Sequence, residues 1–145
     1  QGVLHNYTEA AQWLRLAADQ ELAVAQTNLG LMYLKGQGVP RNYNEAFKWF
    51  KLAAVQGEGI AQVNLGLMYF KGHGVPQDHT EAANWYWFAA DQGRHSAQAK
   101  LGMMYEYGHG VFQDYVSAYM WYSLGALQGC GMLYRYLFGK FLSIN

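Results

Sequence analysis

The sequence has one cysteine, Cys130, and two prolines, Pro40 and Pro76. A single thiol cannot close an intrachain disulfide, so cysteine usage does not separate a reducing compartment from an oxidising one. Net charge is missing too. Ten Lys plus Arg balance ten Asp plus Glu, which removes the broad basic field expected of a nucleic-acid or anionic-membrane binder. No apolar run approaches the roughly 20 residues of a membrane-spanning helix. No signal peptide opens the chain, which starts in mid-repeat at Gln1 as a trimmed or processed fragment would. What is plentiful is apolar and aromatic. Hydrophobic residues make up 52% of the 145 positions and aromatics 17%, enough to bury a core without a metal or disulfide scaffold.

The decisive feature is a period. Gln1-Gly2-Val3, Gln37-Gly38-Val39, His73-Gly74-Val75 and His109-Gly110-Val111 open four copies of a 36-residue pattern with no insertion between them. A fixed period of this length marks a solenoid, whose units bury their apolar faces only by stacking on one another. The prediction is one all-α domain of about eight helices, built from helix-turn-helix units 1–36, 37–72, 73–108 and a divergent 109–145.

The first helix of each pair is clearest at Ala25-Gln26-Thr27-Asn28-Leu29-Gly30-Leu31-Met32-Tyr33, and recurs from Ala61 and from Ala97. Ala25, Leu29 and Tyr33 fall at i, i+4 and i+8, so they share a buried face. Glycine inside a helix costs about 1 kcal/mol relative to alanine. Its recurrence at Gly30, Gly66 and Gly102 predicts a helix backbone crossing close by. Lys35-Gly36-Gln37-Gly38-Val39-Pro40 and its equivalents then turn the chain, since glycine permits positive φ at a helix end and proline cannot continue a helix. No strand precedes these glycines, so they are not read as a phosphate cradle. The second helix is predicted to open with a capping box, Asn6 to Glu9, Asn42 to Glu45 and Asp78 to Glu81. Behind it Trp13, Trp49, Trp85 and Trp121, flanked by alanines, are expected to form the seam between units.

The combination A-x-x-x-L-G-x-x-Y-x-x-G-x-G-V, then E-A-x-x-W-x-x-x-A-A-x-Q-G, resembles the Sel-one-like repeat family, a relative of the tetratricopeptide repeats, over essentially the whole chain. The resemblance implies a right-handed α/α superhelix whose first helices line a concave face, and a non-enzymatic scaffold or adaptor binding proteins. Family members occur in bacterial envelope and host-interaction systems as well as eukaryotic complexes, which favours a periplasmic or secreted setting over the cytoplasm. The family's cysteine-rich branch, with its claimed penicillin-related activity, carries paired cysteines in each unit. This chain has only Cys130, so that activity is not carried over. In the fourth copy the positions of Ala25, Leu29, Gly30 and Tyr33 are occupied by Leu133, Leu137, Phe138 and Phe141.

Chemistry-bearing residues do not cluster in the sequence. His5, His73, His79, His95 and His109 show no i, i+4 pair of a zinc motif, and His73 and His109 share a repeat position with Gln1 and Gln37, which predicts a tolerant, exposed loop site. Ser96, Ser117, Ser123 and Ser143 lack a nucleophile elbow. No catalytic residue, metal ligand or cofactor is expected. The binding candidates lie opposite the Ala-Leu-Tyr stripe: Thr27, Asn28, Leu31 and Lys35, then Val63, Asn64, Leu67 and Lys71, then Ala99, Lys100, Met103 and Tyr107. Such a face suits an extended or helical peptide. The alternatives are a small-molecule or cell-wall-fragment binder using the aromatics, with weak hydrolysis, and a structural self-assembling spacer. Between Asp114 and the terminus the only charges are Arg135 and Lys140, so the C-terminal helix is expected to cap the core tightly or to mediate self-association.

Overall fold

A computed structural model describes residues 2–127, excluding the side chains of Val3, Leu4 and His5. Among these residues there are seven α-helices and no strand: α1 (Gly2–Asp19), α2 (Ala23–Lys35), α3 (Tyr43–Val55), α4 (Gly59–Lys71), α5 (His79–Asp91), α6 (His95–Tyr107) and α7 (Tyr115–Leu127). The architecture is that of an all-α helical-repeat solenoid. The eighth predicted helix, with its capping or self-associating role, lies outside the described residues. Two compact units divide the chain, Gln1–Asp78 and His79–Asn145. Helices α1–α4 belong to the first and α5–α7 to the second.

The predicted stripe explains how α2 packs. Ala25 and Leu29 are buried with Ala18 of α1 and Trp49 of α3, and Leu14, Ala17 and Tyr33 close around them. Tyr33 keeps its hydroxyl at the edge, where it accepts a hydrogen bond from the Arg15 guanidinium at 2.6 Å. Each fully buried large side chain, such as Leu29 or Phe50, contributes about 1.5–3 kcal/mol of burial. The helical glycines serve a different neighbour from the one expected. A Cβ on Gly30 would lie 2.8 Å from the Phe50 ring, and one on Gly102 would lie 2.6 Å from the Tyr122 ring. An aromatic ring of the second helix, and not a helix backbone, fills the notch that glycine leaves.

The loops turn as predicted. Gly36, Gly72 and Gly108 adopt the left-handed conformation at the C-termini of α2, α4 and α6, with φ of 69°, 71° and 68°. Their amides close on the carbonyls of Met32, Met68 and Met104. At the shorter α1–α2 link, Glu21 takes a φ of 63° where the equivalent positions have Gly57 and Gly93.

Capping is only half the predicted box. Asn42 accepts from the amides of Asn44 and Glu45 at 3.0 and 3.1 Å. Its own amide donates to the Tyr33 carbonyl at 2.9 Å, and the amides of Asp78 and Asp114 do the same to Tyr69 and Tyr105. The reciprocal bond from glutamate is therefore replaced by a strut back to the first helix. Asp114 also caps α7, accepting from Val116 N and from the Ser117 hydroxyl. At α1 the expected box is absent, because the helix already runs from Gly2 and Asn6 sits exposed inside it. In the later copies two left-handed glycines, such as Gly36 and Gly38, set the turn ahead of the cap.

The tryptophan seam needs a second correction. Trp49 and Trp121 are buried and Trp85 is half-buried, but Trp13 is 66% exposed. Trp49 is packed against Ala18 of α1 and Ala25 and Leu29 of α2.

Candidate functional site

The first helices carry the candidate face in two separate compact units. On α2, Asn28 and Lys35 are exposed and Leu31 is half-buried; on α4, Lys71 is exposed and Val63, Asn64 and Leu67 are half-buried. On α6 of the second unit, Tyr107 is exposed, and Ala99, Lys100 and Met103 are half-buried. Asn28, Leu31 and Lys35 fall at i, i+3 and i+7, as do Asn64, Leu67 and Lys71, and Lys100, Met103 and Tyr107. Each trio therefore shares one helical face. The Asn64 side-chain amide donates to the Ile60 carbonyl of its own helix at 2.9 Å. Lys35 and Lys71 stand in the last turns of α2 and α4, where a cation also complements the helix dipole.

Thr27 does not belong to this face. It is 3% exposed, and its hydroxyl lies 2.9 Å from the Ala23 carbonyl and 3.0 Å from a Glu58 carboxylate oxygen. The same oxygen accepts from Ala61 N at 2.8 Å. Thr27 thus helps hold the N-cap of α4, and a β-branched hydroxyl is short enough to do so from inside the interface.

Sequence reasoning passed over the residue beside it. Gln26, Gln62 and Gln98 are each at most 4% exposed, and their side-chain amides donate to the carbonyls of Ala18, Ala54 and Ala90 at 3.2 Å. Every one ties a first helix to the C-terminal turn of the helix before it. Gln56 completes the first pair by donating to Gln26 Oε1 at 2.8 Å. A polar residue kept at one repeat position beside Ala25, Ala61 and Ala97 was the available signal.

The histidines are not free loop ornaments. His73 stacks on Tyr43 at 4.6 Å, and His109 lies 5.2 Å from His79 and 5.9 Å from Tyr107, centroid to centroid. These ring contacts overturn the expected tolerant, exposed site, because each loop folds back onto the start of a second helix. No three His, Cys, Asp or Glu converge among the described residues. Cys130 and Ser143 lie outside them.

A second surface, which includes Trp85 of the expected seam, occupies α5. Glu81, Asn84, Trp85, Trp87 and Phe88 line an open cleft of about 280 Å³. Trp87 and Phe88 are 45% and 49% exposed, and the Phe88 ring lies 5.8 Å from both indoles. The signal was positional. Trp87 stands where the other copies have Arg15, Lys51 and Ser123.

Helix pairs with left-handed glycine caps, a ring seated on a helical glycine and a 36-residue period define an α-solenoid repeat protein. The Sel1 repeat matches residues 1–22, 23–58, 59–93 and 95–130, and the chain belongs to this family. Among solved structures it is similar to c5321, a protective antigen present in uropathogenic Escherichia coli strains that displays an SLR fold, with 47% identity and a TM-score of 0.83 over 85% of this chain. A Sel1 repeat protein from Oxalobacter formigenes shares 43% identity with a TM-score of 0.79 over 84% of it. The chain spans only 26% and 50% of those two proteins. Helicobacter pylori cysteine rich protein B, at 21% identity and a TM-score of 0.70, covers 90% of this chain with 96% of its own length and shares the fold. No curated protein gives a significant match by sequence. Sel1 repeats generally mediate protein interactions, as scaffolds that are typically not enzymes. No described helix is long and apolar enough to cross a membrane.

Proposed function

We propose that this chain is a non-enzymatic scaffold that binds a peptide or protein segment along the exposed faces of its first helices. The supporting observation is the recurring trio of one polar or cationic, one apolar and one outer position: Asn28-Leu31-Lys35, Asn64-Leu67-Lys71 and Lys100-Met103-Tyr107. Half-buried Leu31, Leu67 and Met103 offer apolar contact. Beside them the asparagines suit the amides of an extended backbone, and the lysines suit a carboxylate.

Affinity capture from the native source, with the partner identified by mass spectrometry, supplies the ligand for the test. Substituting Asn28, Asn64 and Lys100 together with alanine is expected to weaken binding at least about fivefold, since one hydrogen bond is worth about 1 kcal/mol. The melting temperature should hardly move, because Asn28 is exposed and Asn64 and Lys100 are only half-buried. Unchanged affinity in the triple variant would sink the proposal.

A further inference from the structure

The copies treat their tryptophan differently. In α3 the Trp49 ring is flanked by two cations of its own compact unit, Arg15 at 5.6 Å and Lys48 at 5.3 Å from the ring centroid, and Lys51 stands 5.8 Å from the Phe47 ring. In α5 the positions of Lys48 and Lys51 are Asn84 and Trp87. The helix, HTEAANWYWFAAD, contains no lysine or arginine and two carboxylates, Glu81 and Asp91. Within the second compact unit no described cation stands over Trp85, Trp87 or Phe88. One repeat position thus carries a lysine beside the indole in α3, and in α5 keeps the indole, replaces that lysine with Asn84 and adds two exposed rings, Trp87 and Phe88.

We infer that the outward face of α5 is a cation-accepting site, in which Trp85, Trp87 and Phe88 receive an arginine or lysine side chain from a basic peptide segment of a partner protein. A guanidinium or ammonium over an indole is attracted by the negative ring face, most strongly for tryptophan. Glu81 lines the same cleft, and its carboxylate adds attraction of the right sign. An uncharged apolar partner would gain nothing from that charge. The site lies on a second helix, apart from the first-helix trios, and stands whether or not those trios bind peptide.

The probe is the peptide acetyl-Gly-Arg-Gly-Arg-Gly-amide, compared with the peptide carrying citrulline for both arginines, which keeps size and planarity but has no charge. The readout is the set of five tryptophan indole N–H resonances of the full chain. Titration with the arginine peptide should shift Trp85 and Trp87 and leave Trp49 in place, with the citrulline peptide binding roughly 3- to 30-fold more weakly. Asn84→Lys restores the equivalent of Lys48 and should reduce binding by a similar factor, whereas Asn84→Gln should not. Trp87→Ala should lose most of the response. Asn84 and Trp87 are both exposed, so circular dichroism of these variants should match the parent. Equal binding of the two peptides, no shift at millimolar peptide, or undiminished binding by Asn84→Lys would each overturn the assignment.

Discussion

At their buried and half-buried positions α3, α5 and α7 are nearly interchangeable, with Ala46, Ala82 and Ala118, then Trp49, Trp85 and Trp121, then Phe50, Tyr86 and Tyr122. Their outward positions diverge. Asn44, Lys48 and Leu52 of α3 correspond to Thr80, Asn84 and Phe88 of α5, and to Val116, Met120 and Leu124 of α7. The last three are 78%, 47% and 39% exposed. Packing against neighbouring helices restricts the inner positions, whereas the outer ones face no such constraint and are free to specialise. The units also differ in how their buried polar groups are satisfied. In the second unit Tyr86 Oη, Ser123 Oγ and Gln98 Oε1 are buried with no hydrogen-bond partner, while Trp49 Nε1 is such a group in the first.

The largest expected effect sharpens the contrast between inner and outer rings. Trp49→Ala should cost about 3–5 kcal/mol, because it empties a site closed by Ala18, Ala25 and Leu29. Trp13→Ala, at the same repeat position but exposed, should stay within about 0.5 kcal/mol. Urea denaturation of the two variants checks both, and similar midpoints would break the distinction.

Next come two tyrosines at one repeat position. Tyr122 donates its hydroxyl proton to a Glu106 carboxylate oxygen at 2.9 Å, so Tyr122→Phe should lose about 1 kcal/mol. Tyr86 buries an unpartnered hydroxyl, and Tyr86→Phe should gain up to about 1 kcal/mol. Opposite signs in denaturation midpoints are the expected result. Two losses of equal size would show that Tyr86 finds a partner in solution.

The same pair sets an alkaline limit. Burial pushes both hydroxyls above the ordinary tyrosine value, helped at Tyr122 by the hydrogen bond to Glu106 and by its charge. The unfolded chain therefore ionises first. Stability from these groups is full below pH of about 10 and falls as pH rises beyond it. Midpoints measured across that range should decline less steeply in Tyr86→Phe.

The smallest effect lies at the α7 cap. The Ser117 hydroxyl, opposed by desolvation and helped by the amides of Val116 and Ser117, holds the exposed Asp114 carboxyl below its usual value. This stabilisation is present above the unfolded carboxylate pKa and is lost as pH falls through the lower folded value. Asp114→Asn should flatten the acid limb of the stability profile slightly. An unchanged limb would assign the acid response elsewhere.

Much of this was readable in the chain before any coordinates. Ala25 and Leu29 could be placed in the core from their i, i+4 spacing, and Gly36 at a left-handed cap from the proline that follows it. Thr27, placed on the outward face by its spacing, is buried instead, and Trp87 had no placement at all. Both fit a helical pattern equally well turned in or out, and only neighbours distant in sequence, Glu58 for Thr27 and the outward side of α5 for Trp87, distinguish the cases. Gln26 was readable in principle, because a polar residue held at one repeat position between apolar ones must satisfy its amide inside the fold.

By itself the sequence determined the period, the helical class, the glycine turns and the absence of a charge bias, since these follow from local backbone preferences and from counting. Tertiary structure decided what each repeated residue touches. It put a ring and not a backbone on Gly30, turned the capping box into a strut to Tyr33, buried Thr27 against the cap of α4 and left Trp87 exposed. Spacing along one helix fixes which residues share a face, but the helices packed beside it determine which of those faces meet solvent.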